Sequence, residues 1–307
     1  MTNYPTQVSI REVGPRDGLQ NEAGWVPTGQ KIALINALAN TGLKRIEAVS
    51  FVHPKAIPQM RDAAEVIAGI ERVPGVNYSA IVPNAAGARR AVAAAMDEVE
   101  IFLSASESHN RKNVRMSVAE SLAAAQEIAQ ILGEAKMPFD AVISTAFGCP
   151  YEGDVPVERV MWVAEKLLEL TPTPVRITLG DTTGMANPVL VDRITGEFQA
   201  RFPGRTLSLH FHNTRGSGLA NVLAGLQRGV THYDSSLGGL GGCPYAPGAT
   251  GNITTEDLVN MLHDMGISTG IDLEKLLECA RLAQDYVGHE LPGQVLKAGP
   301  RTRLAPF

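Results

Sequence analysis

Two histidines one residue apart, His210 and His212, close the apolar run Leu207-Ser-Leu-His-Phe-His, a spacing that suits a metal. On an extended strand, residues i and i+2 project to one side, so both imidazoles face one way and Phe211 faces the other. A pair of hydrogen-bonded core histidines gives the same pattern, so the spacing needs partners before it marks a site. A thiol lies downstream, Cys243, within Gly238-Gly-Leu-Gly-Gly-Cys-Pro-Tyr-Ala-Pro-Gly-Ala-Thr-Gly-Asn252. Glycine visits positive φ freely, so such a segment can move as a flap and bring an acid/base thiol to a ligand. Its plainer reading is a flexible surface loop. Near the start, Gly14-Pro-Arg16-Asp17-Gly-Leu-Gln20-Asn-Glu22 sets a cation beside a carboxylate. Arg16 can stabilise an oxyanion or close a salt bridge at a strand end, with Glu12 and Glu47 as candidate partners.

The elements that must position these groups follow from hydrophobic periodicity. Short runs rich in apolar and β-branched residues recur at 8–13, 45–51, 78–82, 98–103, 141–146, 175–179, 207–211 and 233–237. Between them lie alanine- and leucine-rich stretches of helical spacing, such as 31–38 and 117–135, with start signals at Thr28, Ser117 and Pro156. Eight strands alternating with helices predict a closed (β/α)8 TIM barrel. No GxGxxG pattern follows the first strand, which disfavours an open dinucleotide-binding sheet. The reading is one catalytic domain over 1–307, with the barrel at about 8–270 and an added C-terminal helical extension at about 271–307.

A barrel places chemistry where its strands end. Strand ends at Arg16-Asp17, Glu47 to Ser50, Asp181-Thr182, His210 to His212 and the cysteine loop then share one mouth. Strand one neighbours strand eight, so Asp17 can add a hard oxygen to the histidine pair, and Asn252 a carbonyl oxygen. Such a set, without thiolate, favours Mg²⁺ or Mn²⁺.

Composition bounds the rest. The 307 residues are 44% hydrophobic and 19% charged, an ordinary globular balance. A net charge of -5 argues against nucleic acid as partner. Local basic clusters, Arg111-Lys112 with Arg115 and Lys297 with Arg301 and Arg303, can still hold an anion or be solvated surface. No apolar run reaches the roughly 20 residues that span a bilayer, and 1–7 lacks the marks of a signal peptide. No membrane partner and a cytoplasmic location are expected. Cys149, Cys243 and Cys279 are an odd, widely spaced set that fits free thiols.

The motifs GPRDGLQNE, IEAVSFVHPKAIPQM, SASESHN, FGCPYEG, LGDTTG, HFHN and GGCPYAPGATGN extend across nearly the whole chain. Together they resemble the 3-hydroxy-3-methylglutaryl-CoA lyase family, whose wider superfamily includes isopropylmalate, homocitrate and citramalate synthases. The resemblance implies Asp17, His210, His212 and Asn252 as metal ligands, Arg16 holding an enolate, Cys243 as the loop acid/base, and Glu47 and Asp181 lining the site. Gln20, Ser50, Thr178, Thr182 and Arg215, with Arg16, are the expected substrate contacts. The implied reaction cleaves a carbon-carbon bond of the acyl-CoA to give acetyl-CoA and acetoacetate, with no organic prosthetic group, in a homodimer. Asp17, His210 and Asp181 all stand as candidates to take the hydroxyl proton.

Some residues depart from the family pattern. Asn213-Thr-Arg215-Gly stands where Asp-Thr-Tyr-Gly is commoner, Ala23 where some members carry a CoA-binding Lys, and Thr178 in place of Ser. Arg215 can meet a longer or anionic substrate group, or sit on the rim. A lyase for another 3-hydroxy-3-alkylglutaryl-CoA or a citramalyl-type ester is therefore the alternative, with a Claisen-type synthase behind it. A biotin-dependent carboxyltransferase would need a strand lysine that these runs lack, and a non-catalytic barrel would be expected to have lost part of the constellation.

Overall fold

The computed structural model describes residues 4–241 and 251–304. Its eight strands are β1 (Ser9–Glu12), β2 (Arg45–Ser50), β3 (Asn77–Ile81), β4 (Glu98–Ser104), β5 (Phe139–Ser144), β6 (Arg176–Gly180), β7 (Thr206–His210) and β8 (His232–Ser235). They pair in parallel and in sequence order, and β8 returns to β1 to close the barrel. The predicted fold and all eight strands are present, with ends displaced by one or two residues.

The helices that cover the barrel are α1 (Thr28–Ala39), α2 (Ala63–Gly69), α3 (Ala85–Ala93), α4 (Glu107–Val114), α5 (Val118–Glu134), α6 (Val157–Leu168), α7 (Pro188–Arg201), α8 (Gly218–Gln227) and α9 (Thr255–Asp264). Beyond them lie α10 (Leu273–Val287) and α11 (Gln294–Ala298). Local sequence sets several of these starts. Ser117 and Glu120 form a reciprocal capping box at the start of α5. Thr28 differs from expectation, because it is the first helical residue and its hydroxyl donates to Asp62 Oδ2 at 2.8 Å. In α10, Leu276, Leu277, Cys279, Ala280 and Ala283 recur at helical spacing and are buried.

Parallel strands covered by helices bury both faces. Every residue of β2 is buried, with Ile46 in the apolar core while Arg45 and Glu47 bear on charged partners. The base of the barrel is accordingly ionic. Arg45 and Arg176 both reach Glu98 and Asp140, and Arg11 pairs with Glu100 and Asp234. No described helix is long and apolar enough to cross a membrane.

Candidate active site

Arg16 and Asp17 sit in a single π-helical turn, Gly14–Gly18, that follows β1. The amides of Arg16, Asp17 and Gly18 all point at the carbonyl of Val13, at 3.1, 2.7 and 3.4 Å. Pro15 fits the second position because an N–H in the first turn has no carbonyl of the helix to bond. The tight turn leaves the two charged side chains adjacent, with Arg16 Nη1 2.6 Å from Asp17 Oδ1. Arg16 Nε donates to Glu47, which is almost fully buried. Gln20 Nε2 donates to the same Asp17 oxygen at 3.0 Å.

The histidine pair comes from the end of β7. Gly180, His210 and Asp234 are aligned by register across β6, β7 and β8. Two residues on, His212 bridges in antiparallel fashion to Asn252, supported by the Asn213 amide bonding to Gly251 O at 2.6 Å. Asn252 Nδ2 then donates to Asp17 Oδ2 at 2.6 Å. Gly241 has φ +103°, and a Cβ there would meet Asn252 Nδ2 at 2.8 Å, so only glycine fits so close to this group. Cys243 lies outside the described residues.

Asp17, His210 and His212 offer ligand atoms that all lie within 4.8 Å of one another. The residues fit a divalent ion on a further count: among the described residues, His212 Nδ1 and Asn252 Oδ1 are buried without a hydrogen-bond partner. Buried polar atoms are rarely left so. Charge states agree. Burial, then His210, pushes the His212 imidazole down to about 3, which leaves it neutral as a ligand must be. Burial works to raise the Asp17 carboxyl, but Arg16, the two histidines and the Asn252 amide hold it down at about 2.

Arg16, Asp17, His210 and His212 border a cavity of about 370 Å³ whose wall also includes Gln20, Glu47, Ser50, Thr182 and Asp234. Glu47 and Ser50 are three apart and should face opposite ways on a regular strand. A register shift between Glu47 and Val49 inserts one residue, and both side chains reach the cavity.

Other expected residues are placed elsewhere. Glu12 does not touch Arg16, because Arg11 takes the inward position and alternation turns Glu12 toward the helices. It accepts from Gly14 N, Leu237 N and Thr255 Oγ1 at 2.7, 2.8 and 2.6 Å, and burial, opposed by these bonds, pushes it up to about 7. Thr178 is wholly buried, in register with Ser208 and one inward layer below Gly180, away from the cavity wall. Asp181 does not line the cavity: its Oδ1 accepts from the amides of Met185 and Ala186 at 2.7 and 3.0 Å, while it stays beside His210 and the His212 backbone. Burial, opposed by those bonds, raises it to about 6. Arg215 is exposed and donates to the carbonyls of Thr183 and Gly184, both at 2.9 Å. The basic clusters are in part paired, Arg111 with Glu107, Arg301 with Asp264 and Arg303 with Glu274.

Asp234, His109 and Asn113 border the cavity and escaped the sequence reading. For Asp234 a signal existed, since a carboxylate in the middle of an apolar barrel strand is costly without a partner.

The HMGL-like family model matches residues 7–283. The chain belongs to the HMGL-like family. Over 294 residues it is 49% identical to the hydroxymethylglutaryl-CoA lyase YngG of Bacillus subtilis, covering 96% of this chain and 98% of that one. The mitochondrial hydroxymethylglutaryl-CoA lyase of Bos taurus is 48% identical over 96% of this chain and 90% of its own. An HMG-CoA lyase from Acinetobacter baumannii, solved in complex with coenzyme A and 3-methylmalate, superposes with a TM-score of 0.94 at 49% identity over all of both chains. Within the HMGL-like family, then, the cavity described above is the candidate active site.

Proposed function

We propose that this HMGL-like protein is a metal-dependent carbon-carbon lyase that cleaves 3-hydroxy-3-methylglutaryl-CoA to acetyl-CoA and acetoacetate. What carries the reading is that Arg16, Asp17, His210 and His212 meet on one cavity, with Asn252 bonded to Asp17, in a chain whose relatives over nearly full length bear that lyase name. Two imidazoles and two hard oxygens suit Mg²⁺ or Mn²⁺. When bound, the ion would hold substrate oxygens and lower the pKa of the tertiary hydroxyl.

The protein's own residues account for the remaining steps. Of the candidates to take the hydroxyl proton, Asp17 borders the cavity, His210 is taken up as a metal ligand, and Asp181 is engaged with the turn at Met185 and Ala186. As the hydroxyl loses its proton and becomes a ketone, the bond to the thioester side breaks. Its electron pair passes to the acetyl-CoA enolate. Arg16, fixed by Glu47, is a preorganised cation for the enolate oxygen, in the manner that makes such donors effective. Cys243 is the acid that protonates the enolate carbon. The 3-methylglutaryl substrate is favoured over a longer acyl group because Arg215, the most conspicuous departure in sequence, is bonded to loop carbonyls outside the cavity wall.

The test is turnover of a panel of 3-hydroxyacyl-CoA thioesters by the full chain after EDTA treatment and metal add-back. Acetoacetate should form from the 3-hydroxy-3-methylglutaryl ester only after Mg²⁺ or Mn²⁺ is restored. Turnover indifferent to metal removal sinks the mechanism, and preference for a citramalyl-type ester sinks the substrate.

A further inference from the structure

Behind the histidine pair lies a buried carboxylate that the proposed reaction does not use. Parallel pairing sets Arg11 opposite Asp234 on one side and His210 opposite Asp234 on the other. Backbone register therefore puts a guanidinium, a carboxylate and an imidazole in one row across the inside of the barrel. Arg11 Nε donates to Asp234 Oδ1 at 2.9 Å and Nη2 to Oδ2 at 2.7 Å, a two-point grip that fixes the carboxylate plane. Both residues are nearly inaccessible, at 1% and 2% exposure. Oδ2 then faces Nδ1 of His210 at 3.3 Å.

We propose that Asp234, held by Arg11, is a positioning residue that accepts the Nδ1 proton of His210, fixes its ring, and leaves Nε2 as the atom offered to the divalent ion. The proposal rests on the metal reading above. A ring nitrogen that donates to a fixed acceptor sets the tautomer, and the opposite nitrogen then carries the lone pair. The Oδ2 atom that accepts from Arg11 Nη2 has a second lone pair, and that one faces the imidazole. His212 differs, because the nitrogen it leaves without a hydrogen-bond partner among the described residues is Nδ1, the atom counted above as open to the ion.

Two measurements on the full-length chain decide this. In the metal-free, ¹⁵N-histidine-labelled protein, held above the imidazole titration range, long-range ¹H–¹⁵N spectra should show His210 protonated at Nδ1, with its signals assigned by their loss in His210→Gln. Protonation at Nε2 overturns the proposal. Separately, Mn²⁺ titration should give Asp234→Asn an affinity about 10- to 100-fold weaker than wild type, the usual cost of losing such a partner. Asp234→Glu, which keeps the charge beside Arg11, should recover part of it at unchanged melting temperature. Wild-type affinity in Asp234→Asn overturns the proposal. If Asp234→Asn fails to fold, no recovery in Asp234→Glu and an Nε2-protonated His210 do the same. If the wild-type chain binds no Mn²⁺, the metal reading falls, and the tautomer alone decides for or against Asp234.

Discussion

The barrel interior holds two groups of acidic and basic side chains, one at each end, and both satisfy the spacing for a metal. Asp17, His210 and His212 lie at the mouth, and Glu98, Glu100 and Asp140 at the base. At the base, guanidinium groups take up the carboxylates: Arg45 and Arg176 converge on Glu98 and Asp140, and Arg11 pairs with Glu100. Arg11 is shared with Asp234 as well, which leaves four carboxylates to three guanidinium groups. Burial, opposed by Arg11 and reinforced by Glu47, pushes Glu100 up, and burial with Glu98 nearby does the same to Asp140. At the mouth one guanidinium, Arg16, is divided between Glu47 and Asp17, and an open cavity adjoins. Proximity of carboxylates is therefore not what marks a site. Neutral imidazole ligands beside space for a ligand, in place of carboxylates paired with guanidinium groups, are the distinguishing feature.

The two ends should come apart most sharply under mutation. His212→Gln, at the mouth, should abolish metal-dependent turnover by about 10³-fold or more, since a lost Lewis acid forfeits several kcal/mol of barrier lowering. Its unfolding free energy should move by no more than about 1–2 kcal/mol. Arg45→Met, at the base, should do the reverse. Breaking a buried pair leaves uncompensated carboxylates, at about 3–5 kcal/mol, while turnover per folded molecule stays within about threefold. Denaturant melts and metal-saturated assays on both proteins check this. An Arg45→Met enzyme that keeps its stability but loses turnover would move the base into the catalytic machinery.

A third carboxylate extends the comparison, because Glu256 has neither guanidinium nor cavity. It accepts from Gly238 N at 3.0 Å, its other oxygen has no partner among the described residues, and burial pushes it up to about 8. The unfolded carboxyl loses its proton near its ordinary value of about 4.5, whereas the folded one keeps it until about 8. The native state therefore binds more protons across that window, and stability falls as pH rises through it. Glu256→Gln keeps the acceptor for Gly238 and removes the titration. It should flatten the decline between about pH 5 and pH 8 by a few kcal/mol in urea melts. An unaltered slope would show that Glu256 is ionised in the fold, stabilised in some way other than by holding its proton.

Much of this was legible in the chain, for identifiable reasons. Apolar periodicity located all eight strands, and the rule that barrel chemistry sits at strand ends brought Asp17, His210 and His212 together before any coordinates. Three things were hidden because they depend on pairing between distant strands. The bulge beside Ala48 that turns both Glu47 and Ser50 inward has no local marker such as glycine or proline. The side taken by Glu12 is decided by Arg11, whose partners Glu100 and Asp234 are 89 and 223 residues away. That a strand carboxylate such as Asp234 needs a partner is legible, but that the partner is His210 is set only by the register.

The smallest effect is expected where sequence suggested a change of substrate. Arg215 stands out against the family pattern, yet Nη1 bonds to the carbonyls of Thr183 and Gly184 and so ties the segment after β7 to the loop after β6. At an exposed position two such bonds contribute about 1 kcal/mol or less each, because water can replace them. Arg215→Tyr should therefore lower stability by about 1 kcal/mol and leave kcat/KM for each thioester of the panel within about twofold of wild type. Relative preference between acyl groups is the sharper readout, since loosening the rim would scale all substrates alike. A tenfold shift toward one acyl group would mean that Arg215 leaves its carbonyls to meet substrate, and would extend the mouth of the barrel to include its rim.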